Sequence, residues 1–157
     1  MKKLLIFTAC LFLSVGVGFA QQSIDDDVTL IQSAFGMDKK MIVDAYMDLP
    51  ESVSPGFWQV YEEYEEARRA LSRERIKLIN EYIETYDQIG EEEANSLATR
   101  SLKNDVSLSK LHAKYFKKFK KVTSAKDAAK FLQIDTYIHN TIRNAIQQEL
   151  PFIDEFK

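Results

Sequence analysis

The scarcity of glycine and proline constrains this fold more than any other feature of the sequence. Beyond residue 20 the chain contains three glycines and three prolines, at Gly36, Gly56, Gly90, Pro50, Pro55 and Pro151. These residues interrupt helices, and folds built from short strands and tight turns need many of them. So few interruptions in so long a chain favour long helices.

Capping patterns predict four helix starts. The predicted starts are Ser23 with Asp26, Ser54 with Pro55, Glu91 to Glu93, and Ser124 with Asp127. The first helix is expected to run to about Asp48 with a break near Gly36, while Gly90 and Pro151 are expected to end the second and fourth. Two helices of about thirty residues would each be roughly 45 Å long.

Apolar residues recur every three or four positions through these segments, and no alternating strand pattern of any length occurs. No internal linker separates two domains. We therefore predict a single all-α domain over residues 21–157, an elongated bundle or hairpin of about four helices, two of them long.

The first twenty residues have the pattern of a secretory signal peptide. Lys2 and Lys3 precede the charge-free, mostly apolar run Leu4–Ala20, which ends in small residues. We predict cleavage after residue 20 and a periplasmic, non-integral mature protein, because no second run of membrane-spanning length follows. An uncleaved anchor and a lipoprotein attached at Cys10 are the alternatives.

The charge of the predicted mature chain argues against nucleic-acid binding. Without Lys2 and Lys3, 19 basic side chains face 24 acidic ones, which gives a net charge of −5. The charges are also segregated, since residues 23–66 are strongly acidic and residues 111–130 contain seven lysines. Such polarity can steer partners or pair two copies of the chain.

The basic segment contains the stretch YFKKFKK at residues 115–121. At 100° per residue its charged and apolar side chains separate onto opposite faces of a helix. The predicted lysine face comprises Lys114, Lys117, Lys118 and Lys121, and the apolar face comprises Tyr115, Phe116, Phe119 and Val122. The aromatic residues are interpreted as core packing, and the lysine face as the candidate partner-binding surface for an acidic partner.

No catalytic pattern is present in the sequence. It has no G-x-S-x-G motif, no glycine-rich phosphate loop, no H-E-x-x-H motif and, in the mature chain, no cysteine. The Glu-x-x-His pattern of di-iron bundles is also missing. We predict a protein that is not an enzyme and needs no cofactor.

Two weak metal-binding patterns have structural interpretations that we favour. Asp135 and His139 lie one helical turn apart and could hold a cation, although a local hydrogen bond is the favoured interpretation. Met37, Met41 and Met47 could be soft copper ligands, although core packing is favoured for Met41 within its amphipathic stretch.

Three helix starts share a pattern: LPESV at Leu49, IGEEE at Ile89 and VTSAK at Val122. Each has an aliphatic residue, a turn former and a polar helix entry. They resemble degenerate copies of the L-T-x-x-Q motif of Spy/CpxP-like periplasmic proteins, over about residues 45 to 150. The motif glutamine is replaced by Val53 in the first copy and by Lys126 in the last.

The resemblance implies a small helical envelope protein, commonly an antiparallel homodimer forming a thin curved cradle. Members of that family include ATP-independent chaperones, inhibitors of envelope-stress sensors and metal-sensing relatives. The expectation for this chain is a non-catalytic chaperone or envelope-stress protein that binds unfolded or membrane-associated envelope proteins. The alternative is a regulator that binds a membrane signalling partner, or a metal-binding sensor.

Overall fold

The computed structural model describes residue 31 and residues 34–155. Four helices are described in full: α1 Lys39–Met47, α2 Ser54–Thr85, α3 Glu91–Val122 and α4 Ala125–Glu149. No strand occurs in this part of the chain, so the predicted all-α fold is confirmed. Helices α2 and α3 have 32 residues each, which makes each about 48 Å long. The signal-peptide prediction and the capping box at Ser23 lie outside the described residues.

Most of the predicted helix boundaries are confirmed. Pro55 lies in the first turn of α2, where a missing N–H removes no helical hydrogen bond. Ser124 Oγ accepts a hydrogen bond from the backbone N–H of Asp127 at 3.1 Å, which caps α4. The predicted break at Gly36 is present, since Gly36 has a left-handed φ of 68° and Asp38 caps α1 just after it.

The prediction that Gly90 ends the second helix is wrong, whereas the predicted start of the third helix at Glu91 is confirmed. Helix α2 ends at Thr85, where the Gln88 N–H closes a turn onto the Thr85 carbonyl at 2.9 Å. Gly90 instead precedes α3 in an extended conformation, with three glutamates in the first turn that follows. Negative charge at a helix N-terminus is favourable, which agrees with the helix start predicted at Glu91–Glu93.

Helices α2, α3 and α4 run alternately up, down and up, and α1 lies against α4. The connection between α3 and α4 is only two residues long, so these helices must be antiparallel neighbours. This topology brings together the start of α2, the end of α3 and the start of α4.

An aromatic core fills that end of the bundle. Phe57, Phe119 and Phe131 are fully buried, with ring centroids 5.1 Å apart for Phe57–Phe119 and 4.4 Å for Phe119–Phe131. Tyr115 is also buried, and Phe116 packs against the same cluster. The interpretation of the YFKKFKK aromatics as core packing is therefore confirmed.

A smaller cluster of isoleucines, with Ile42 from α1 and Ile138 and Ile142 from α4, fixes α1 to the bundle. Met47 is 3% exposed and belongs to the main core. The core interpretation of Met41 is wrong, because its side chain is 57% exposed. In this nine-residue helix Ile42 and Met47 occupy the buried side, and Met41 points roughly opposite to it.

Candidate functional site

A buried ionic cluster lies beside the aromatic core, centred on Asp135 of α4. The Asp135 side chain is fully buried. Its Oδ1 accepts a hydrogen bond from Lys39 Nζ at 2.5 Å, and its Oδ2 accepts one from the Tyr64 hydroxyl at 2.6 Å. A buried carboxylate is tolerated only when it is paired and hydrogen-bonded, and this one has a partner at each oxygen.

Further charged groups complete the cluster. Lys39 Nζ also donates to Glu65 Oε1 at 2.6 Å and to His139 Nε2 at 3.0 Å. Arg68 Nε lies 3.8 Å from Asp135 Oδ2, and His112 Nε2 lies 3.4 Å from the same oxygen. The positive charges of Lys39 and Arg68 thus face the carboxylates of Asp135 and Glu65, so the charges of the cluster are balanced.

This environment shifts the pKa values of three members. Burial alone would raise the pKa of Asp135, but Lys39, a hydrogen bond from His112 and Arg68 together hold it well below its usual range. Burial and the positive charges of Lys39 and Arg68 hold the pKa of His139 well below its usual value. Burial and the charge of Asp135 raise the pKa of Tyr64.

The cluster joins all four helices. Lys39 comes from α1, Tyr64 and Arg68 from α2, His112 from α3, and Asp135 from α4. Because Asp135, Tyr64 and Lys39 are each at most 6% exposed, a substrate cannot approach them without opening the bundle. The arrangement is suited to positioning the helices rather than to chemistry on a ligand.

The weak metal candidates Asp135 and His139 belong to this cluster, with His139 Nε2 3.6 Å from Asp135 Oδ1. Lys39 Nζ contacts both side chains, so an ammonium group already occupies the position between them. Within residues 34–155 no group of three or more His, Cys, Asp or Glu side chains could hold a metal ion.

Sequence reasoning missed Lys39, Tyr64, Arg68 and His112. A usable signal was present, since Asp135 follows Phe131 by four residues and precedes Ile138 by three on the apolar stripe of α4. Tyr64 and Arg68 are similarly one turn apart on α2. A charged residue within an apolar stripe indicates a buried partner from another helix.

The pKa shifts predict a stability optimum between about pH 6.5 and pH 10, bounded by the ordinary pKa values of His139 and Tyr64. Below about pH 6.5 the unfolded chain binds a proton at His139 that the folded chain excludes, so the free energy of unfolding falls, by up to about 1.4 kcal/mol per pH unit. Below 3.8 Asp135 adds to this loss. Above 10 the unfolded chain loses the Tyr64 proton that the folded chain retains, and stability falls again.

Urea unfolding followed by circular dichroism at several pH values would measure this dependence. In His139→Asn the slope between about pH 6.5 and pH 5 should decrease by up to one proton's contribution. His112, which is 26% exposed, provides a less buried histidine for comparison. An unchanged slope in His139→Asn would contradict the assignment.

The predicted lysine face lies on the C-terminal half of α3. Lys114, Lys117 and Lys121 are exposed, and no described carboxylate lies within ion-pair distance of any of them. Lys118 differs, because its Nζ pairs with Glu63 Oε2 of α2 at 2.5 Å. The ammonium groups of Lys114 and Lys118 both lie near the Tyr115 ring, 5.5 Å and 4.9 Å from its centre. The fold therefore neutralises one of the four lysines and leaves three available.

Exposed apolar side chains continue this surface toward the middle of α3. Leu102 is 67% exposed and Val106 is 53% exposed. At 100° per residue Leu102, Val106 and Lys117 lie within about 60° of one another around the helix. We call the surface formed by Leu102, Val106, Lys114, Lys117 and Lys121 the α3 outer face.

Comparison with protein-family models, with curated proteins and with solved structures found no match to this chain. The resemblance to Spy/CpxP-like proteins thus stays a prediction from the sequence. Within the described part of the chain, no helix combines the length and the apolar character needed to cross a bilayer.

Proposed function

We propose that this chain is a periplasmic, non-catalytic, Spy/CpxP-like binding protein that holds unfolding envelope proteins without ATP. The α3 outer face carries the proposal, because it presents three lysines that form no ion pair with any described carboxylate on the same side of one helix as exposed Leu102 and Val106. The degenerate L-T-x-x-Q pattern and the signal-peptide pattern support the family and the compartment.

The physical basis of this proposal is a surface that attracts a client protein but binds it weakly enough to release it. Lysines attract acidic segments over about a Debye length of 8–10 Å, and exposed aliphatic groups then cover apolar side chains of the client. Exposed ion pairs contribute only about 0–1 kcal/mol each. A client held by several weak contacts can therefore leave as it folds, with no nucleotide to release it.

The experiment is thermal aggregation of an unrelated client, followed by light scattering. The purified chain from residue 21 onward should lower the scattering at substoichiometric to equimolar amounts, equally with and without ATP. An inert protein of similar net charge serves as the control. If scattering is unchanged at equimolar amounts, the chaperone proposal is wrong.

The alternative role is regulation of a membrane signalling partner. It would be favoured if the protein co-purified with one specific envelope protein rather than with many. A metal sensor would instead show a higher melting temperature with copper, zinc or nickel, because a ligand that binds the native state stabilises it.

A second candidate for the same face is a second copy of this chain. Three glutamates begin α3 and two lysines lie in its last turn, while exposed Val106 lies near its middle. Two α3 helices packed antiparallel would place Glu92 opposite Lys121 of the other copy, with Val106 close to the two-fold axis. This proposed homodimer and client binding need the same lysines, and the lysine variants described in the Discussion distinguish them.

A further inference from the structure

An apolar cleft of about 290 Å³ lies in the half of the bundle away from the aromatic core. The end of α2, the start of α3 and the end of α4 enclose it, and the segment after α4 borders it. Its apolar lining includes Leu78, Ile79, Leu97, Ala98, Ile146 and Leu150. No acidic side chain of the described residues lines this cleft.

Two arginines define the inner end of the cleft. Arg75 of α2 and Arg143 of α4 line it, and both bind the single carboxylate of Asp105. Arg75 donates to Asp105 Oδ1, and Arg143 Nη2 donates to Oδ2 at 3.2 Å. Two guanidinium groups therefore share one carboxylate, which leaves one net positive charge beside an apolar wall. Burial and then the charge of Arg143 lower the pKa of Arg75.

The outer end of the cleft is bordered by the chain that follows α4. The Tyr82 hydroxyl donates to the Pro151 carbonyl at 2.6 Å, which ties this segment to α2. Leu150 and Ile153 line the cleft, whereas Phe152 is 80% exposed. The cleft is thus a slot with a cationic inner end and an apolar outer end.

We propose that this cleft binds a single-chain fatty acid, with its carboxylate at Arg75 and Arg143 and its tail along the apolar wall. A volume of about 290 Å³ is at the small end of the usual range for ligand pockets, about 300–1,000 Å³, and suits one hydrocarbon chain. A carboxylate matches the fork of donors on a guanidinium group and balances the unpaired positive charge. This site is separate from the α3 outer face, so either proposal can fail alone.

Isothermal titration calorimetry with decanoate tests the site. Decanoate should bind at least ten-fold more tightly than decanol, because a charge-assisted hydrogen bond is lost with the alcohol. Octanoate should bind roughly ten- to twenty-fold more weakly than decanoate, since two methylenes fewer are buried. Decyltrimethylammonium should not bind. Equal affinity for decanoate and the cation would overturn the proposal.

Two substitutions at the inner end should act in opposite directions. Arg143→Gln leaves a balanced Arg75–Asp105 pair and should weaken decanoate binding about ten-fold without changing decanol binding. Asp105→Asn adds one net positive charge and should tighten decanoate binding. Arg69→Gln, which removes an exposed arginine paired with Glu66 elsewhere on α2, is the matched control and should change nothing.

Thermal melting identifies a variant that fails to fold. In that case the comparison of octanoate, decanoate, decanol and decyltrimethylammonium on the unaltered protein tests the proposal by itself. If both inner-end variants fold and shift decanoate affinity in the same direction, the proposal is wrong. Binding of a short peptide ending in leucine, without binding of decanoate, would assign the cleft to peptide C-termini and also overturn it.

Discussion

Asp135→Ala is expected to lower the free energy of unfolding by about 3–5 kcal/mol, the usual loss when one partner of a buried ion pair is removed. Lys39 and Arg68 would remain buried beside Asp135's former position, and the Tyr64 hydroxyl would lose its acceptor at 2.6 Å. Lys39 would keep Glu65 at 2.6 Å, so the cluster would be left with two cations facing one carboxylate, and this excess positive charge, rather than the lost attraction alone, causes most of the effect. Urea unfolding at neutral pH measures it.

Glu66→Ala is the matched control, because it breaks an exposed ion pair with Arg69 and should cost less than about 1 kcal/mol. In a double-mutant cycle, Asp135→Ala and Lys39→Met should be coupled by about 0.5–3 kcal/mol, since the second substitution removes the excess buried positive charge that the first creates. Strictly additive effects would show that this ion pair is not energetically important.

Phe131→Ala should lower the free energy of unfolding by about 3–5 kcal/mol. The fully buried Phe131 ring packs at centroid distances of 4.4 Å from Phe119, 5.4 Å from Tyr64 and 5.6 Å from Phe57, so its removal leaves a cavity bounded by three helices. Phe152→Ala removes the same side chain from a position that is 80% exposed and should change stability by about 0.5 kcal/mol or less. Similar losses for the two variants would contradict the assignment of the core.

Local signals predicted the helices because they act within one or two turns. Pro55 marks a helix start because its missing N–H would have no helical partner there. Ser124 marks another because its side chain accepts a hydrogen bond from the backbone N–H of Asp127. The end of α2 was placed too late, at Gly90 instead of Thr85, because a glycine can either end one helix or precede the next. The acidic residues after Gly90 did predict the start of α3 correctly.

The candidate sites depend on contacts distant in sequence, which periodicity does not reveal. Lys39 and Asp135 are 96 positions apart, so the sequence showed the carboxylate and the nearby His139 but not the lysine. The orientation of the short helix α1 depends on its packing against α4, which explains the error at Met41. Periodicity did place the lysines opposite the aromatics, but only the fold shows that Glu63 pairs with Lys118 and with none of the other three.

The α3 outer face is the central claim, and charge removal tests it most directly. The variant Lys114→Gln/Lys117→Gln/Lys121→Gln retains Lys118 and its pair with Glu63. The matched control Arg73→Gln/Lys77→Gln/Lys126→Gln removes the same charge at exposed positions on α2 and α4. Mass in solution, measured by sedimentation, shows whether the three α3 lysines also hold two copies together.

Aggregation of an acidic client in the presence of each protein decides the claim. We predict that the original chain and the matched control suppress light scattering equally, and that the α3 variant loses most of this suppression while keeping its melting temperature. If the α3 variant only dissociates a dimer and suppresses scattering as well as the control, the face binds a second copy. Suppression that is unchanged in all three proteins, at unchanged mass, would contradict the account.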